Sequence, residues 1–228
     1  MDTLIHLDPL PSLESSFAVE DHLSEGPSGA VARIWRHRPS LVLGLRDARL
    51  PDADAAIAHF RSQGFDVHVR SSGGRLVVLD EGVLNVALGF SGERLPSVDE
   101  GFRLMTDLIR DVIRRCGVDP EVGEIPGSIC PGRYDVAVRG RKVAGLSQRR
   151  RRDYALVHAF LLVEGTGDAR EQLAMQFYSI AHAPVADAVL PGTMAALGEF
   201  RSETTIALVV DILQGVLTDL THQPPPVG

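Results

Sequence analysis

The chain has 228 residues, of which 44% are hydrophobic, and a formal net charge of −7. This length and composition allow a substantial buried core and are typical of a soluble globular protein, while the negative charge argues against general nucleic-acid binding. No apolar run approaches the roughly 20 residues of a membrane span, and the stretch MDTLIHLDPLPSLESS lacks the basic start of a signal peptide. We therefore expect a cytoplasmic protein that binds neither nucleic acid nor membrane.

Hydrophobic periodicity and the positions of glycine and proline predict the order of the elements. They are a helix over 11–25, strands over 30–37 and 40–45, a helix over 52–64, strands over 66–70, 75–80 and 84–90, a helix over 97–117, a hairpin over 134–148, a strand over 154–164, and helices over 169–181 and 203–220. Because hairpins and meanders lie between the helices, this order favours an α+β fold with a mostly antiparallel sheet and flanking helices. Residues 1–221 are expected to form one domain, and residues 222–228 a flexible tail.

Local signals fix some of these boundaries more firmly than others. Ser97 followed three residues later by Glu100 is the pattern of a capping box, and Gly117 is placed to end the same helix. Gly73 and Gly74 predict a hairpin turn between the strands over 66–70 and 75–80. Arg139 and Gly140 are expected at the turn of the hairpin over 134–148.

The two cysteines are Cys116 and Cys130. They are too few for a disulfide framework and lack the spacing of a zinc site, so we predict no metal centre. Proline and glycine flank Cys130 in IPGSICPGRYD, which places it in a loop, whereas Cys116 ends a helix, where a thiol is most often a small buried hydrophobe. A loop thiol acts as a nucleophile when nearby positive charge favours its thiolate. Cys130 is therefore a candidate nucleophile, and an unreactive loop cysteine is the alternative.

Lys142 is the only lysine among the 23 basic residues of the chain. A lysine carries a compact charge that hydrogen-bonds a single oxygen, whereas arginine presents a planar fork. Lys142 lies twelve residues beyond Cys130, and the return strand of the predicted hairpin could bring it back towards that loop. Compositional drift in an arginine-rich chain is the alternative explanation for the single lysine.

A second group of candidate residues follows the strand over 66–70. Arg70, Ser71, Ser72, Gly73 and Gly74 place a cation, two hydroxyls and exposed backbone N–H groups at one turn, which suits a ligand oxygen. The polar Asn85 interrupts the apolar run VLNVAL, so it either satisfies a buried backbone group or lines the same site. The sequence alone does not distinguish this turn from an ordinary glycine hairpin.

Seven of the 23 basic residues fall within fourteen positions. They are Arg139, Arg141, Lys142, Arg149, Arg150, Arg151 and Arg152. Such a run is either a solvated strand end or a docking surface for an acidic partner. Nucleic-acid binding is less favoured because no aromatic residues are interleaved with the arginines.

The stretches RSSGG, DEGVLNVAL and CPGRYDVAVRGRKVAGLSQRR together resemble the lipoate and biotin protein ligase superfamily, and most closely its cysteine-dependent octanoyl and lipoyl transferases. With LVLGLRDARLP, they are similar to the amidotransferases that move an octanoyl group from the glycine-cleavage H protein to the E2 subunits of 2-oxoacid dehydrogenases. The resemblance covers 17–177. It implies the ligase-like catalytic fold, Cys130 as nucleophile and Lys142 as the residue that contacts the acyl carbonyl oxygen.

The same resemblance implies the rest of the site and its partners. RSSGG would form the acyl-site turn, Asn85 and Gly145 would belong to the substrate site, and strand side chains such as Val77 and Val86 would line an apolar slot. The H protein and the E2 lipoyl domains would be the partners, docked by the cationic run at Arg139, Arg141 and 149–152. An amide-to-amide exchange through a thioester is nearly neutral in energy, so neither ATP nor another cofactor is expected.

Three alternatives stay open at this point. An ATP-dependent lipoate ligase would keep the fold, and Cys130 would then be incidental. An octanoyltransferase that takes its group from acyl carrier protein would keep the thiol mechanism. A carrier-domain binder without catalysis would use only the basic run. The histidines His68 and His158 lie in predicted strands, and neither is assigned a role.

Overall fold

The computed structural model describes residues 2–10, 12–14, 16, 30–70, 73–92, 95–184 and 188–222. Within these residues the chain forms ten strands and four helices. The strands are β1 (Asp2–Leu10), β2 (Ala30–His37), β3 (Ser40–Leu43), β4 (Asp66–Val69), β5 (Val77–Leu79), β6 (Val83–Ser91), β7 (Glu121–Val122), β8 (Val136–Val138), β9 (Arg141–Arg150) and β10 (Tyr154–Leu162). The helices are α1 (Ala53–Ser62), α2 (Val98–Arg115), α3 (Gly167–Ile180) and α4 (Ile206–His222), with short 3-10 helices at Asp47–Arg49 and Leu197–Glu199.

The strands form two sheets. The larger has seven strands in the order β1-β2-β6-β10-β9-β8-β7, and only its β1–β2 pair is parallel. The smaller has the order β4-β3-β5, in which β3 runs parallel to β4 and antiparallel to β5. The prediction of an α+β fold with a mostly antiparallel sheet is confirmed.

The pleat of the large sheet separates two environments, because successive side chains of a strand point to opposite faces. On one face Ile34, Val86 and Val157 belong to the core that includes side chains of α2 and α4. On the other face Trp35 and Ala87 form a separate small cluster with their neighbours. A further core joins the small sheet to α1 and α3. The second face of the large sheet, next to this further core, is where the pocket described below lies.

Local signals were read correctly where they depend on adjacent residues. The Ser97 side chain accepts a hydrogen bond from the Glu100 N–H at 3.3 Å, while Glu100 accepts one from the Ser97 N–H at 2.7 Å, which completes the capping box. Arg139 and Gly140 both have positive φ, +50° and +73°. These angles suit the two-residue hairpin turn between β8 and β9.

The predicted hairpin at Gly73 and Gly74 is wrong. The strands β4 and β5 do not pair with each other, because β3 lies between them. The segment β3-α1-β4 is a parallel crossover unit, so the chain after Arg70 must pass β3 before it returns as β5. The glycine turn is therefore a loop over the end of β3.

One strand was not predicted, and one predicted helix lies mostly outside the described residues. The strand β1 was not predicted, and it lies at the sheet edge, where a residue such as Pro9 is tolerated. Most of the predicted helix over 11–25 lies outside the described residues, as does the tail after His222. Of that helix, Leu13, Glu14 and Ser16 are described and are helical.

Candidate active site

Cys130 lies in the loop between β7 and β8, as the flanking prolines and glycines predict. Its φ of +49° is in the left-handed region, which costs a non-glycine residue about 1–2 kcal/mol. The side chain is half-buried. Strained backbone of this kind is often found at functional residues, where neighbouring contacts hold it in place.

The sulfur of Cys130 faces the segment that links β4 to β5. The backbone N–H of Arg75 donates to Sγ at 3.1 Å, and Nη2 of Arg70 lies 3.8 Å from Sγ. Arg70 Nη2 also donates to the carbonyl of Arg75 at 2.9 Å, which fixes the guanidinium beside the loop. An N–H dipole and a guanidinium both stabilise negative charge on a sulfur atom.

Two glycines let the backbone approach the sulfur this closely. Gly74 has a φ of +99°, and a Cβ added there would lie 2.2 Å from Arg70 Nη2 and 3.1 Å from Cys130 Sγ. A Cβ at Gly44 would lie 2.0 Å from the carbonyl oxygen of Gly74. Gly73 is exposed, with no atom within 4 Å of an added Cβ. Ser71 and Ser72, which were also predicted for this turn, lie outside the described residues.

The buried side chain of Asp47 links the Gly44 backbone to the side chains of Arg75 and Tyr178. Its carboxylate accepts hydrogen bonds from the Gly44 N–H at 2.9 Å and the Tyr178 hydroxyl at 3.1 Å, and lies 3.7 Å from Arg75 Nε. The Arg75 guanidinium also lies over the Tyr178 ring, 5.0 Å from its centroid. Burial, with the Asp47 carboxylate adding to it, raises the pKa of Tyr178. The sequence motif LVLGLRDARLP contains Asp47 but gives no indication of this role.

Lys142 contacts Cys130 through the backbone and not through the sulfur. Its ammonium donates to the carbonyl of Cys130 at 2.7 Å and of Ile129 at 2.9 Å, and lies 2.8 Å from Asp135 Oδ2. The residue is fully buried, with the Phe160 ring centroid 5.4 Å from Nζ. Three acceptors use all three N–H donors of an ammonium group. Lys142 therefore holds the main chain at the cysteine, and its Nζ has no donor left for another oxygen in this arrangement.

A β-bulge explains how Lys142 and Gly145 come to lie on the same side of β9. Val136 pairs with Ala144 and Ala137 with Lys142, so Val143 is an extra residue on β9. The bulge offsets the alternation that would otherwise put Lys142 and Gly145 on opposite faces. A Cβ on Gly145 would lie 2.5 Å from the Phe160 ring and 2.9 Å from Lys142 Cε, so this position requires glycine.

Asp135 is the counter-ion of Lys142 and was missed by the sequence reading. It also accepts a hydrogen bond from the Gly132 N–H at 2.8 Å. Burial raises the pKa of Asp135 to about 6, and the neighbouring ammonium opposes part of that rise. Its only sequence signal is its place three residues after Gly132 in CPGRYD, a spacing typical of a side chain that folds back on a turn.

A pocket of about 400 Å³ opens beside Cys130. Polar and apolar side chains of both sheets line it. They are Trp35, His37, Asn85, Gly145, Leu146, Ser147, Arg149, His158, Ala159 and Phe160 on the large sheet, Val42, Val77, Leu79, His68 and Arg70 on or beside the small one, and Leu13, Glu14 and Ser16 from the N-terminal segment. Val77 lines this pocket as expected. Val86 does not, because the pleat turns it towards α2 and α4.

The two histidines on the large-sheet side of the pocket are neutral at pH 7. Burial, with Arg33 adding to it, lowers the pKa of His37 to about 4 and that of His158 to about 3. Trp35 Nε1 donates to His37 Nε2 at 2.8 Å, which holds the His37 ring in place. Their low pKa values make both rings weak bases. We assign them to the pocket wall and give neither a proton-transfer role.

The cationic run that was predicted as one docking rim is divided in space. Arg141 pairs with Glu199 at 3.1 Å and lies over the Phe200 ring, as does Arg139. Arg150 donates to the Pro96 carbonyl at 2.6 Å at the other end of β9. Ten residues of strand separate these two ends by roughly 30 Å. Arg149 lines the pocket, and Arg151 and Arg152 are exposed beyond the strand.

Comparisons with known proteins decide the family. A family profile described as the lipoyl protein ligase A/B catalytic domain matches residues 8–217. An octanoyl-[GcvH]:protein N-octanoyltransferase from Bacillus velezensis is 39% identical over 227 residues, which cover 94% of this chain and 78% of that protein. The chain belongs to the lipoyl protein ligase A/B family. The matched range includes every residue placed around Cys130 above.

Solved structures of this family share the fold at lower identity. A lipoate-protein ligase A bound with ATP superposes with a TM-score of 0.74 at 20% identity, covering 97% of this chain and 86% of that one. A bipartite lipoate protein ligase from Thermoplasma acidophilum, solved in work on its E2 lipoyl domain, gives 0.71 at 20% identity and covers 97% and 84%. These two likenesses concern the fold alone.

In the part of the chain that the structure describes, no group of three or more His, Cys, Asp or Glu side chains is arranged to hold a metal ion. Likewise, none of the helices over those residues has the length and apolarity needed to cross a membrane.

Proposed function

We propose that this chain is a cytoplasmic acyltransferase that moves an octanoyl or lipoyl group from the acylated H protein to the acceptor lysine of E2 lipoyl domains, through a thioester on Cys130. Family membership and the activity of the Bacillus relative support the reaction class. The observation that carries the cysteine chemistry is the position of Sγ, which lies at a 400 Å³ pocket with the Arg75 N–H 3.1 Å away.

The chemistry proceeds in two transfers. The Cys130 thiolate attacks the amide carbonyl carbon of the acylated donor lysine, the C–N bond breaks, and the donor amine leaves after taking up one proton. The acceptor lysine amine then attacks the thioester carbonyl, the C–S bond breaks to regenerate the thiolate, and the acceptor nitrogen loses one proton, which balances the proton taken up by the donor. The Arg75 N–H and the Arg70 guanidinium stabilise the thiolate before it attacks the donor and after the acceptor amine displaces it.

Lys142 has a different place in this proposal from the one that the resemblance implies. Its Nζ already donates to two carbonyls and pairs with Asp135, so contact with the acyl oxygen requires it to release one of these partners. Arg70 is the cation that both lines the pocket and faces the sulfur. We assign Lys142 to fixing the strained conformation of Cys130, and its contact with the acyl carbonyl stays a prediction.

The pocket dimensions suit a medium acyl chain. Along β9, the pocket follows the four-residue step from Gly145 to Arg149, about 13 Å at 3.3 Å per residue. An extended eight-carbon acyl group, with bonds of about 1.5 Å, is roughly 9–10 Å long. Phe160, Val42 and Leu79 supply apolar contacts for such a chain.

Transfer without ATP distinguishes this function from its first rival. The purified chain is incubated with octanoylated H protein and then with an unmodified lipoyl domain, and intact mass is followed for each protein. We expect a hydroxylamine-sensitive octanoyl thioester on the enzyme, followed by an octanoyl adduct on the lipoyl domain that resists hydroxylamine because it is an amide. Cys130→Ser should abolish transfer, whereas Cys116→Ser should retain it, because Cys116 is buried at the end of α2, away from the pocket.

The other outcomes each favour a named alternative. Transfer that requires ATP and free lipoate, and persists in Cys130→Ser, would identify a ligase. Transfer from octanoyl-acyl carrier protein but not from H protein would change the donor and keep the thioester. Binding of the lipoyl domain without transfer from any donor would leave only a carrier-domain binder.

A further inference from the structure

A second cleft, of about 260 Å³, is lined by the side chain of Arg75, the residue whose backbone N–H donates to the sulfur. Three arginines, Arg46, Arg49 and Arg75, line it together with Leu50 and Pro184, and Asp47 lies at its base. Arg75 thus contributes to both places, since its backbone N–H donates to Cys130 Sγ and its side chain lines this cleft. Arg75 alone therefore separates one wall of the cleft from the sulfur of Cys130.

The charge of this cleft is positive in a chain that is negative overall. Arg46 and Arg49 are exposed, and among the described residues neither guanidinium is found in an ion pair or hydrogen bond. Asp47 is buried, and its oxygens already interact with Gly44, Tyr178 and Arg75. Two unpaired guanidinium groups at an active-site edge are a site for carboxylates, which arginine binds through paired hydrogen bonds.

Exposed aliphatic side chains lie beside the cleft in the sequence, at Leu45, and against the Cys130 loop, at Leu190. Leu45 is 48% exposed and directly precedes Arg46. Leu190 is 52% exposed and lies against Gly127, in the loop that carries Cys130, since a Cβ on Gly127 would come within 2.6 Å of it. Exposed leucines beside arginines are a composition found in protein interfaces. The cleft and the Cys130 loop thus each have an exposed leucine beside them.

The length of an acylated lysine side chain favours the Arg75 cleft over the arginines at the far end of β9 as the docking site. A lysine side chain of five bonds extends about 6 Å from its Cα, so the backbone beside the modified lysine must come within roughly 10 Å of Sγ. Arg75 lines the cleft with its side chain and has its backbone nitrogen 3.1 Å from Sγ, so the Arg75 wall of the cleft lies within that reach. The exposed Arg151 and Arg152 lie beyond the end of β9, roughly 25–30 Å along the strand from Lys142.

We propose that the Arg46–Arg49 cleft docks the carrier domain through carboxylates that flank its modified lysine, so that the partner is an acidic domain presenting an acyl-lysine. This proposal rests on the proposed function for the identity of the substrate. Docking at this cleft positions the lysine beside Cys130 and raises the association rate through complementary charge.

Charge reversal at the cleft tests the proposal. The affinity of Arg46→Glu/Arg49→Glu for the unmodified lipoyl domain is measured by titration at low and high salt, and compared with Arg103→Glu/Arg114→Glu. The latter carries the same charge change on exposed positions of α2, on the opposite face of the sheet. We expect the cleft variant to bind at least about tenfold more weakly at low salt, with a reduced salt dependence, and the α2 variant to bind like the wild type.

A second readout separates docking from chemistry. Acylation of Cys130 by S-octanoyl-N-acetylcysteamine, a small thioester without a protein carrier, is followed by intact mass. The cleft variant should take up the octanoyl group at the wild-type rate while losing transfer to the lipoyl domain. If the wild-type Cys130 takes up none, the proposed function fails, yet the titration still decides the docking proposal.

A third variant tests the rival surface. If Arg151→Glu/Arg152→Glu weakens lipoyl-domain binding and Arg46→Glu/Arg49→Glu does not, the docking site is at the far end of β9 and the proposal is overturned. An equal loss in the cleft and α2 variants would also overturn it, because the effect would then reflect net charge alone.

Discussion

Two cations contact Cys130 at different atoms, Lys142 at the carbonyl oxygen and Arg70 at the sulfur, and their surroundings indicate different roles. Lys142 is fully buried and spends its donors on the carbonyls of Ile129 and Cys130 and on Asp135. Arg70 is half-buried, lines the pocket and faces the sulfur itself. A compact ammonium can use all its N–H donors on three enclosing oxygens. A planar guanidinium has five N–H donors, so Arg70 can donate to the Arg75 carbonyl with one nitrogen and still offer other N–H groups to a ligand. The comparison predicts a stability role for one cation and a rate role for the other.

The largest expected effect is on the Lys142 side. Lys142→Met leaves the Asp135 carboxylate and two backbone carbonyls buried without their donor, which should lower the free energy of unfolding by about 3–5 kcal/mol. Urea denaturation measures the loss. Arg141→Met is the matched control on the next residue, whose half-exposed pair with Glu199 should be worth less than about 1 kcal/mol. Equal stability of the two variants would show that the Lys142 contacts do not hold the loop.

The opposite profile is expected for Arg70. Arg70→Met should reduce the rate of thioester formation on Cys130 by about 10²-fold, because a cation that stabilises the thiolate is removed. The free energy of unfolding should change by only about 1 kcal/mol, since the side chain is half-buried and what is lost is its hydrogen bond to the Arg75 carbonyl. Quenched time courses with intact mass give the rate. An unchanged rate would remove Arg70 from the chemistry and return the catalytic role to Lys142.

A smaller effect is expected at Gly74, where the absence of a side chain lets the backbone lie close to the Arg70 guanidinium and to Cys130 Sγ. Gly74→Ala places a Cβ at a φ of +99° and against the Arg70 guanidinium, which should cost about 1–2 kcal/mol of unfolding free energy and slow acylation. Gly73→Ala is the matched control, since its added Cβ meets open space. Both variants are compared by thermal unfolding and by acylation rate. Similar behaviour of the two would mean that the geometry at Gly74 is not needed.

The smallest expected effect is a pH dependence of the free energy of unfolding, caused by the titration of Asp135, the counter-ion of Lys142. Because the folded pKa of Asp135 is about 6, above its ordinary value of 3.8, the folded state binds this proton more tightly than the unfolded state. Its contribution to stability is therefore present at low pH and is lost as pH rises through about 4 to 6. The stability of the wild type relative to Asp135→Asn should fall by about 1 kcal/mol between pH 5 and pH 7.5. Urea titrations at both pH values check it, and a rise would contradict the raised pKa.

The sequence predicted well those features that are set by a few neighbouring residues. The capping box at Ser97, the turn at Arg139 and Gly140 and the loop around Cys130 all depend on residues within four positions of one another. The mostly antiparallel fold and the family resemblance are confirmed as well. The roles assigned to Cys130 and Lys142 stay predictions, although the structure brings the two residues together.

The structural features that the sequence did not predict depend on pairing between distant segments. The placing of β3 between β4 and β5 results from the α1 crossover, and no local pattern distinguishes it from a hairpin. The bulge at Val143 reverses the alternation of β9 and so decides where Lys142 and Gly145 point. Strand geometry also separates Arg141 from Arg150, which are close only in the sequence.

The sequence by itself determined that a cysteine stands in a loop that no regular element can include, that a single lysine follows it, and that glycines lie where the backbone must turn. These are local properties, because φ preferences and capping act over a few bonds. Only the tertiary structure decided which groups face the sulfur. The Arg75 N–H and the Arg70 guanidinium come from 55 and 60 residues away, and their approach depends on packing among β3, β5 and the Cys130 loop.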